Sequence, residues 1–264
     1  MAMNPAINMP AMSWVEYHRR LREDDPIVIL PVGSVEQHGP HLPMGTDTLV
    51  PTGLAERVAG RIGAIVAAPF NYGYKSQPRS GGGQSFPGTT SLDGHSLSSM
   101  VRDVIREFAR HGVRKLALMD GHYENQMFLI EGIDLGLREL HQAGNRTLRI
   151  VRVDWWQFTS DATLAKLFPD GFPGWPLEHA AVVETSLMMA LHPGLVKPDL
   201  LPHHPAASFP PYDTYPEMPG CVPASGALSS ARAATPEKGA ALVAEYVPAI
   251  AEALVAAFAD MPRR

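Results

Sequence analysis

The sequence predicts an α/β fold: a three-layer α/β/α sandwich with a mostly parallel central sheet. Four short runs of apolar and branched residues, typical of buried strands, alternate along the chain with longer segments of helical periodicity. Two of these runs lead directly into clusters of polar side chains, and open parallel sheets bind ligands at the carboxyl ends of their strands. We therefore expect right-handed crossovers with helices on both faces of the sheet.

Length and composition limit the class of protein. The 264 residues, 45% of them hydrophobic, can bury a large core, so we expect residues 1–264 to form one domain. A formal charge of −5 gives no reason to expect a nucleic acid as partner. No long, charge-poor apolar run indicates a membrane span, and the first residues lack the pattern of a signal peptide. We expect a cytoplasmic protein without membrane contact.

The first half of the chain contains two predicted strands between helices. The apolar residues of segment 14–22 have helical spacing and the segment ends in charged residues, which predicts a first short helix. The uninterrupted apolar run at 27–32 predicts the first strand. Thr52 can cap a helix that extends to Arg61 and ends at Gly63, and the second strand follows at 64–68.

The second half repeats the alternation. A helix at 96–111 precedes the third strand at 114–119. An amphipathic helix at 125–143 stops at Gly144, and the branched residues of 148–153 predict the fourth strand. Two further helices are predicted at 180–191 and 237–258.

Two segments are too irregular for ordinary connections. Residues 71–91 form a glycine-rich loop, and loops of this length in α/β domains are often functional, although a simple surface excursion is the alternative. Residues 202–225 are dense in proline. They form either an extended arm that packs on a neighbouring subunit or a ligand for an outside partner. We favour the arm, because the aromatic residues between the prolines need burial.

Five side chains form a candidate metal site. Glu36 and His38 follow the first strand two residues apart, so in extended backbone they point to one side. His122 and Glu124 repeat this pair in reverse order after the third strand, and Asp47 adds a third carboxylate. Mixed imidazole and carboxylate ligands suit zinc, manganese or iron, and the three negative charges favour two divalent ions over one.

Other readings of these residues are less specific. Either His-Glu pair alone could be an ordinary polar loop at a strand end; the two pairs at equivalent positions favour a metal site. We expect His41 to be a solvated loop residue or a supporting group. After the fourth strand, Trp156 and Trp175 could cover the site, and Glu178 and His179 could handle protons, although tryptophans are more often core residues.

Several motifs together resemble the creatininase family, and the resemblance extends over nearly the whole chain. They are Leu-Pro-Val-Gly-Ser-Val-Glu-Gln-His-Gly at 30–39, Tyr-Gly-Tyr-Lys-Ser-Gln at 72–77, Ser-Gly-Gly-Gly at 80–83, Phe-Pro-Gly-Thr-Thr-Ser-Leu-Asp-Gly at 86–94, Gly-His-Tyr-Glu-Asn at 121–125, Gly-Trp-x-x-Glu-His at 174–179, Phe-Pro-Pro-Tyr-Asp at 209–213 and Leu-Ser-Ser-Ala at 228–231. The proline-rich arm and the Gly-Trp-x-x-Glu-His loop indicate the branch of the family that acts on creatinine.

The resemblance implies a role for each site residue. Two divalent ions, zinc or manganese or both, would be bridged by Asp47, with Glu36 and His122 on one ion and His38 and Glu124 on the other. Three catalytic residues and the substrate contacts are also implied, together with a homohexamer. The catalytic residues are His179, Glu178 and Glu124; the substrate contacts are Ser80, Tyr123, Trp156, Trp175, His179 and position 176.

The implied reaction is the reversible opening of creatinine to creatine. A metal-bound hydroxide would attack the ring carbonyl, His179 would donate a proton to the departing ring nitrogen with possible help from Glu178, and the tryptophans would stack on the flat substrate. One position departs from the family pattern: Pro176 stands where the family has Asp, and proline offers neither an acceptor side chain nor an N–H. The sequence therefore constrains the identity of the substrate less than it constrains the type of reaction, the metal-dependent opening of an amide.

Of three alternatives, two remain open at this point. Another small amide or formamide hydrolase of the same family would share the metals but differ in its pocket. A zinc nucleobase deaminase also uses His-x-Glu, but it needs a Pro-Cys-x-x-Cys segment, which a chain with a single cysteine cannot supply. A non-enzymatic binding module that acts through the proline-rich arm would bind its partner without the metal ligands.

Overall fold

Four parallel strands form the central sheet. The computed structural model describes residues 4–217 and 220–262. Its strands are β1 (Ile27–Val32), β2 (Ile65–Val66), β3 (Lys115–Asp120) and β4 (Arg149–Asp154), in the spatial order β2-β1-β3-β4. Every neighbouring pair is parallel, as the sequence predicted.

The register of the sheet brings three strand ends to one level. Val32 of β1 pairs with Asp120 of β3, which in turn pairs with Asp154 of β4. The loops after β1, β3 and β4 therefore leave the sheet side by side at its carboxyl edge. This edge is where the polar clusters of the sequence were expected to meet.

Helices cover both faces of the sheet. They are α1 (Trp14–Glu23), α2 (Thr46–Ile62), α3 (Gly94–His111), α4 (Gln126–Gln142), α5 (Asp161–Leu167), α6 (Val182–Leu191) and α7 (Pro236–Ala257). The face that includes Ile29 and Met119 packs against α2, α6 and α7, and the face that includes Leu30 and Leu118 packs against α1, α3 and α4. Alternate strand residues thus enter opposite cores, which makes the predicted three layers.

The start of α2 differs from the prediction and matters for the site. We expected the helix to begin at a Thr52 cap, but it begins at Thr46, so Asp47 lies in its first turn. Pro51 lies inside the helix and cannot donate the helical hydrogen bond to the carbonyl of Asp47.

Smaller differences are confined to element ends and one short helix. β2 has two residues rather than five; it lies at the edge of the sheet, where Val66 also forms an isolated bridge with Asn8. The seven-residue helix α5, capped by Ser160, was not predicted. The described parts of the proline-rich arm, residues 202–217 and 220–225, contain no helix or strand.

Helix α7 contradicts the expectation that no run is suited to a membrane span. By length and composition alone, its 22 residues are long and apolar enough to cross a membrane. Its buried residues, which include Leu242, Tyr246, Ile250 and Leu254, recur every three or four positions and belong to one of the two cores. This spacing is typical of a core helix that packs along one face.

Candidate metal centre

The cluster begins where β1 ends. Glu36 and His38 follow this strand, and both are almost completely buried. The loop of residues 71–93 passes directly over Glu36 at Gly81, where an added Cβ would overlap the carboxylate oxygen Oε1. Only glycine permits so close an approach. The long loop therefore closes the site.

Glu36, Asp47 and His122 form the first group of donor atoms. Nδ1 of His122 lies 3.0 Å from Oε2 of Glu36 and 3.1 Å from Oδ2 of Asp47. All three side chains are buried, and one donor atom from each lies within 4.8 Å of the others. These are the residues expected to hold one ion together with the bridging Asp47.

His38, Asp47 and Glu184 form the second group. Nε2 of His38 lies 3.0 Å from Oδ1 of Asp47 and 3.7 Å from Oε2 of Glu184. Asp47 thus contributes to both groups through different oxygens, which is the geometry of a bridging carboxylate. A third group joins Glu36, His38 and His179.

Backbone carbonyls orient both histidines. Nδ1 of His38 donates to the carbonyl of Glu36 at 3.1 Å, and Nε2 of His122 donates to the carbonyl of Tyr74 at 2.9 Å. Each hydrogen bond assigns one ring proton, which leaves the lone pair of the other nitrogen facing the carboxylates. In the neutral tautomers, both imidazoles are therefore ready to bind a cation.

The charges of the cluster shift the pKa values of its members in opposite directions. Burial alone would lower the pKa of His38, but the charge and hydrogen bond of Asp47, together with the charges of Glu184 and Glu36, outweigh burial and raise this pKa to about 10. Burial raises the pKa of Glu36 to about 8 and that of Glu184 to about 7. The pKa of Asp47 falls despite burial, chiefly because of the charge of His38. Without a cation, buried protons must balance the carboxylates.

Unpaired donor atoms show that the cluster fits a metal. Oε1 of Glu36, Nε2 of His38 and Oδ2 of Asp47 are buried and make no well-aligned hydrogen bond within the part of the chain that the structure describes. Buried polar atoms without partners are costly, and a coordinated ion would satisfy them. Imidazole and carboxylate donors are a ligand set that zinc and manganese accept.

Glu124 approaches the cluster from the side of His122. Its Oε2 lies 3.5 Å from Nε2 of His122, while its Oε1 accepts hydrogen bonds from the hydroxyl of Ser80 at 2.5 Å and the backbone N–H of Gln77 at 3.0 Å. Among the described residues, Glu124 belongs to no group of three metal-binding side chains. The structure groups Glu184 with His38 in the place expected for Glu124.

His179 is held by Gln37 in one tautomer. The side-chain amide of Gln37 lies within hydrogen-bond distance of the carbonyls of Gly81 (3.1 Å) and Gly226 (2.9 Å), which use both of its hydrogens. Nε2 of His179 therefore donates to the backbone carbonyl of Gln37 at 2.9 Å. The lone pair on Nδ1 faces the cluster, 4.0 Å from Oε2 of Glu36. Burial, followed by the charge of His38, holds the pKa of His179 well below its usual value.

Glu178 caps a helix. Its Oε2 accepts a hydrogen bond from the backbone N–H of Val183 in the first turn of α6 at 2.8 Å. Its side chain makes no hydrogen bond to His179 in the described structure. Burial raises the pKa of Glu178 well above its usual value, and it lines the site cavity.

Aromatic side chains form the wall of the cavity opposite the donors. Trp155, Trp156 and Trp175 line it, and Tyr123 stands at its edge with its ring centroid 6.3 Å from that of Trp156. Trp155 and Trp156 are buried, whereas Tyr123 is 49% exposed. Pro176 is exposed and belongs to an adjoining outer cavity that shares Ser80 and Tyr123 with the inner one.

Sequence reasoning missed Glu184, and the structure excludes one of the two expectations for His41. Glu184 is the only charged residue of the apolar helix α6, and a lone charge in a buried helix was a usable signal for function. His41 is fully buried, and its Nε2 lies 2.8 Å from the hydroxyl of Thr185, so the prediction of a solvated loop residue was wrong. The other expectation, a supporting group, stays a prediction.

Comparison with known sequences gives a consistent result. A family model described as Creatininase, creatinine amidohydrolase, matches residues 10–254. The creatinine amidohydrolase of Pseudomonas putida is 51% identical over 253 residues, which cover 96% of this chain and 97% of the relative.

Solved structures agree with the sequence matches. A crystal structure of creatinine amidohydrolase superposes with a TM-score of 0.94 at 49% identity, covering 99% of this chain and 100% of the other. A glutamate-to-glutamine variant of creatininase bound to creatine gives 0.93 at 50% identity, covering 96% and 99% of the two chains. Creatininase has also been solved in a Zn–Zn form and a manganese form.

Proposed function

Because the chain belongs to the creatininase family, we propose that it is a creatinine amidohydrolase that opens the cyclic amide of creatinine reversibly to give creatine. The single observation that carries the proposal is the shared Asp47, which joins two groups of buried imidazole and carboxylate donors. This arrangement supports a binuclear centre. The similarity to the Pseudomonas putida enzyme and to a creatine-bound creatininase supports the substrate.

The donor groups support an assignment of residues to the two ions. Glu36 and His122 would hold one ion and His38 the other, with Asp47 between them. Glu124 and Glu184 are the two carboxylates within reach of this pair of groups. When bound, zinc or manganese would lower the pKa of water and polarise the carbonyl of the substrate.

His179 is suited to move the proton of the reaction. Its neutral ring presents the unprotonated Nδ1 to the site, so it first accepts a proton from the attacking water. As the bond between the carbonyl carbon and the ring nitrogen breaks, the same proton passes to that nitrogen. Water has then been added across the amide. His179 thus acts as a base before it acts as the acid expected from the sequence.

The aromatic wall suits a flat substrate. Trp156 and Trp175 offer ring faces that favour planar, guanidine-like molecules through stacking and cation–π attraction. Ser80 and Tyr123 stand at the entrance. Pro176 lacks the hydrogen-bond acceptor that the family pattern supplies at this position. This difference favours one second candidate function, the hydrolysis of a related small cyclic or linear amide. Side-by-side assays of creatinine and other small amides separate the two.

The proposal includes an assembly and a location. A homohexamer would bury the proline-rich arm of residues 202–225 between subunits, where its exposed Tyr212 and Tyr215 would find partners. Sedimentation at six times the chain mass tests this, and a monomer with full activity would refute it. We place the enzyme in the cytoplasm, which fractionation of the source cells tests.

Removal of the donors tests the function directly. His38→Ala and His122→Ala should each lose bound metal and creatinine opening together, because each removes a ligand of a different ion. His141→Ala, at an exposed position on α4, is the matched control and should keep both. Full ring-opening activity in a metal-free variant would refute the proposal.

A further inference from the structure

Asn125 is a completely buried side chain beside the metal centre, and every part of its amide makes a hydrogen bond. Its Nδ2 donates to the carbonyl of Gly33 at 3.2 Å and to Oδ1 of Asp120 at 3.1 Å, and its Oδ1 accepts from the backbone N–H of Tyr74 at 2.8 Å. The side chain thus joins the ends of β1 and β3 to the long loop that covers the site. We propose that Asn125 is a positioning residue that orients the metal ligand His122 through the backbone of Tyr74.

The link to the ring of His122 runs through one residue of the loop. Tyr74 donates its backbone N–H to Asn125, and its carbonyl accepts the Nε2–H of His122 at 2.9 Å. This second hydrogen bond leaves the lone pair of Nδ1 facing Glu36 and Asp47. Because Tyr74 makes both contacts with its own backbone, a shift of the loop would turn the ring of His122 away from these carboxylates.

A second link holds the backbone of His122. Oδ1 of Asp120 accepts the backbone N–H of His122 at 3.1 Å and the side-chain N–H of Asn125 at 3.1 Å. The backbone N–H of Asn125 in turn donates to the carbonyl of His122 at 3.0 Å. The ligand is therefore held at its ring and at its backbone by groups that all contact Asn125.

The loop approaches Asn125 too closely for a side chain on Gly73. An added Cβ there would lie 2.5 Å from Oδ1 of Asn125 and 2.6 Å from the carbonyl of Gly33. Neither neighbour can move freely, because one is a buried amide with its hydrogen bonds made and the other is buried backbone. Replacement of Gly73 therefore offers a second way to disturb the same link.

A purely structural role gives a different result. A buried amide with several hydrogen bonds stabilises a fold wherever it lies, and its loss then lowers stability without preference for either ion. Tyr74 also has other contacts, since its ring packs against Phe128 with centroids 4.0 Å apart and it forms an isolated bridge with Leu92. If these contacts alone held the loop, the affinity for metal would not depend on Asn125. A positioning role predicts that only the ion bound by His122 is weakened.

Zinc affinities of the full-length enzyme, measured by competition with a chelator, separate the two roles. We expect Asn125→Leu, which makes none of the amide hydrogen bonds, to weaken one of the two ions by about tenfold to a hundredfold and to leave the other at its wild-type affinity. Ser98→Ala is the matched control, because it removes another buried hydrogen bond, to the carbonyl of Phe128, and should weaken neither ion. Equal weakening of both ions, or the same loss in Ser98→Ala, would overturn the inference.

Gly73→Ala tests the link without removal of a polar group, so it decides the matter if Asn125→Leu does not fold. The added methyl group should push the carbonyl of Tyr74 away from His122 and weaken the same single ion. Wild-type affinity for both ions in folded Gly73→Ala would overturn the inference.

A double substitution tests the route through His122. In a His122→Ala background, Asn125→Leu should weaken the remaining ion no further, because the ligand that Asn125 positions is gone. Further weakening would contradict the inference. It rests on the proposed function, but the two fail separately: wild-type enzyme that binds two ions and leaves creatinine intact overturns the function, whereas unchanged zinc affinities in Asn125→Leu overturn this inference alone.

Discussion

Two backbone carbonyls prepare the metal ligands of this chain. The carbonyls of Glu36 and Tyr74 accept the second ring N–H of His38 and His122, so each imidazole can turn its lone pair toward the carboxylates. Such hydrogen bonds fix the ring orientation of a ligand before the ion arrives. The orientation of both rings therefore depends on backbone carbonyls of loops rather than on direct contacts with further side chains.

Metal affinity should therefore depend on pH. In the ion-free protein the pKa of His38 is about 10, that of His122 is well above its usual value and that of Glu36 is about 8, so these groups carry protons at neutral pH. An ion must displace the protons, so affinity should rise with pH, by about tenfold or more per pH unit between about pH 6 and pH 8.

Competition with a chelator at several pH values measures this affinity, and calorimetry in buffers of different ionisation enthalpy counts the protons released. An affinity independent of pH, without proton release, would contradict the account of the buried charges.

Position 176 should control substrate affinity. Pro176→Asp restores the acceptor of the family pattern at the cavity entrance, and one added hydrogen bond should lower KM for creatinine by roughly twofold to tenfold. Pro176→Ala is the control, because it restores an N–H without a side-chain acceptor. If Pro176→Asp leaves KM for creatinine unchanged while another amide is opened faster, creatinine is the wrong substrate.

At the scale of single residues, the sequence was informative where the spacing of two residues determines the direction in which their side chains point. The i, i+2 pairs predicted that Glu36 and His38 would meet Asp47 and His122, and the structure places them together. Glu184 could not be derived in this way, because it reaches His38 only through the packing of α6 beside the strand ends. The tautomers of the histidines depend on backbone groups that have no sequence signature.

Helices α6 and α7 meet at a position where only glycine fits. A Cβ on Gly239 would overlap the carbonyl of Ser186 in α6 and approach Cβ of Ala190 to 2.9 Å. Since α6 carries Glu184 and begins directly after His179, this contact supports the element that presents the site. The core helix α7 therefore contributes to function by packing.

We expect Gly239→Ala to destabilise the protein by about 1–3 kcal/mol, because the added methyl group forces two packed helices apart. Gly60→Ala is the matched control: Gly60 lies in α2 with open space around it, and alanine there should stabilise by about 0.5–1 kcal/mol. Thermal unfolding midpoints measure both changes. A Gly239→Ala variant as stable as the wild type would show that the contact is not tight.

The sequence predicted helices correctly where the apolar spacing continues over several turns. Helices α3, α4 and α7 were found to within two residues, because each has several turns of apolar spacing. The start of α2 was missed since the prediction placed the cap of the helix at Thr52, and α5 has too few residues for periodicity to be visible. The apolar run at 64–68 does not show that β2 lies at the edge of the sheet or that only two of its residues form a strand.

The whole molecule converges on one edge of its sheet. Parallel strands bring the loops after β1 and β3 together, and the crossover helices on both faces leave that edge open. The long loop of residues 71–93 covers it through Gly81, and Gly226, just after the proline-rich arm, reaches Gln37 beside His179. Segments distant in sequence thus complete a single centre.

A metal titration of the ion-free protein, followed by the conversion of creatinine to creatine, tests the central claim most directly. Zinc or manganese should restore ring opening, and activity should level off at two ions per chain, because Asp47 serves two groups of donors. Full activity before any ion is added, or a chain saturated with metal that leaves creatinine intact, would contradict the account.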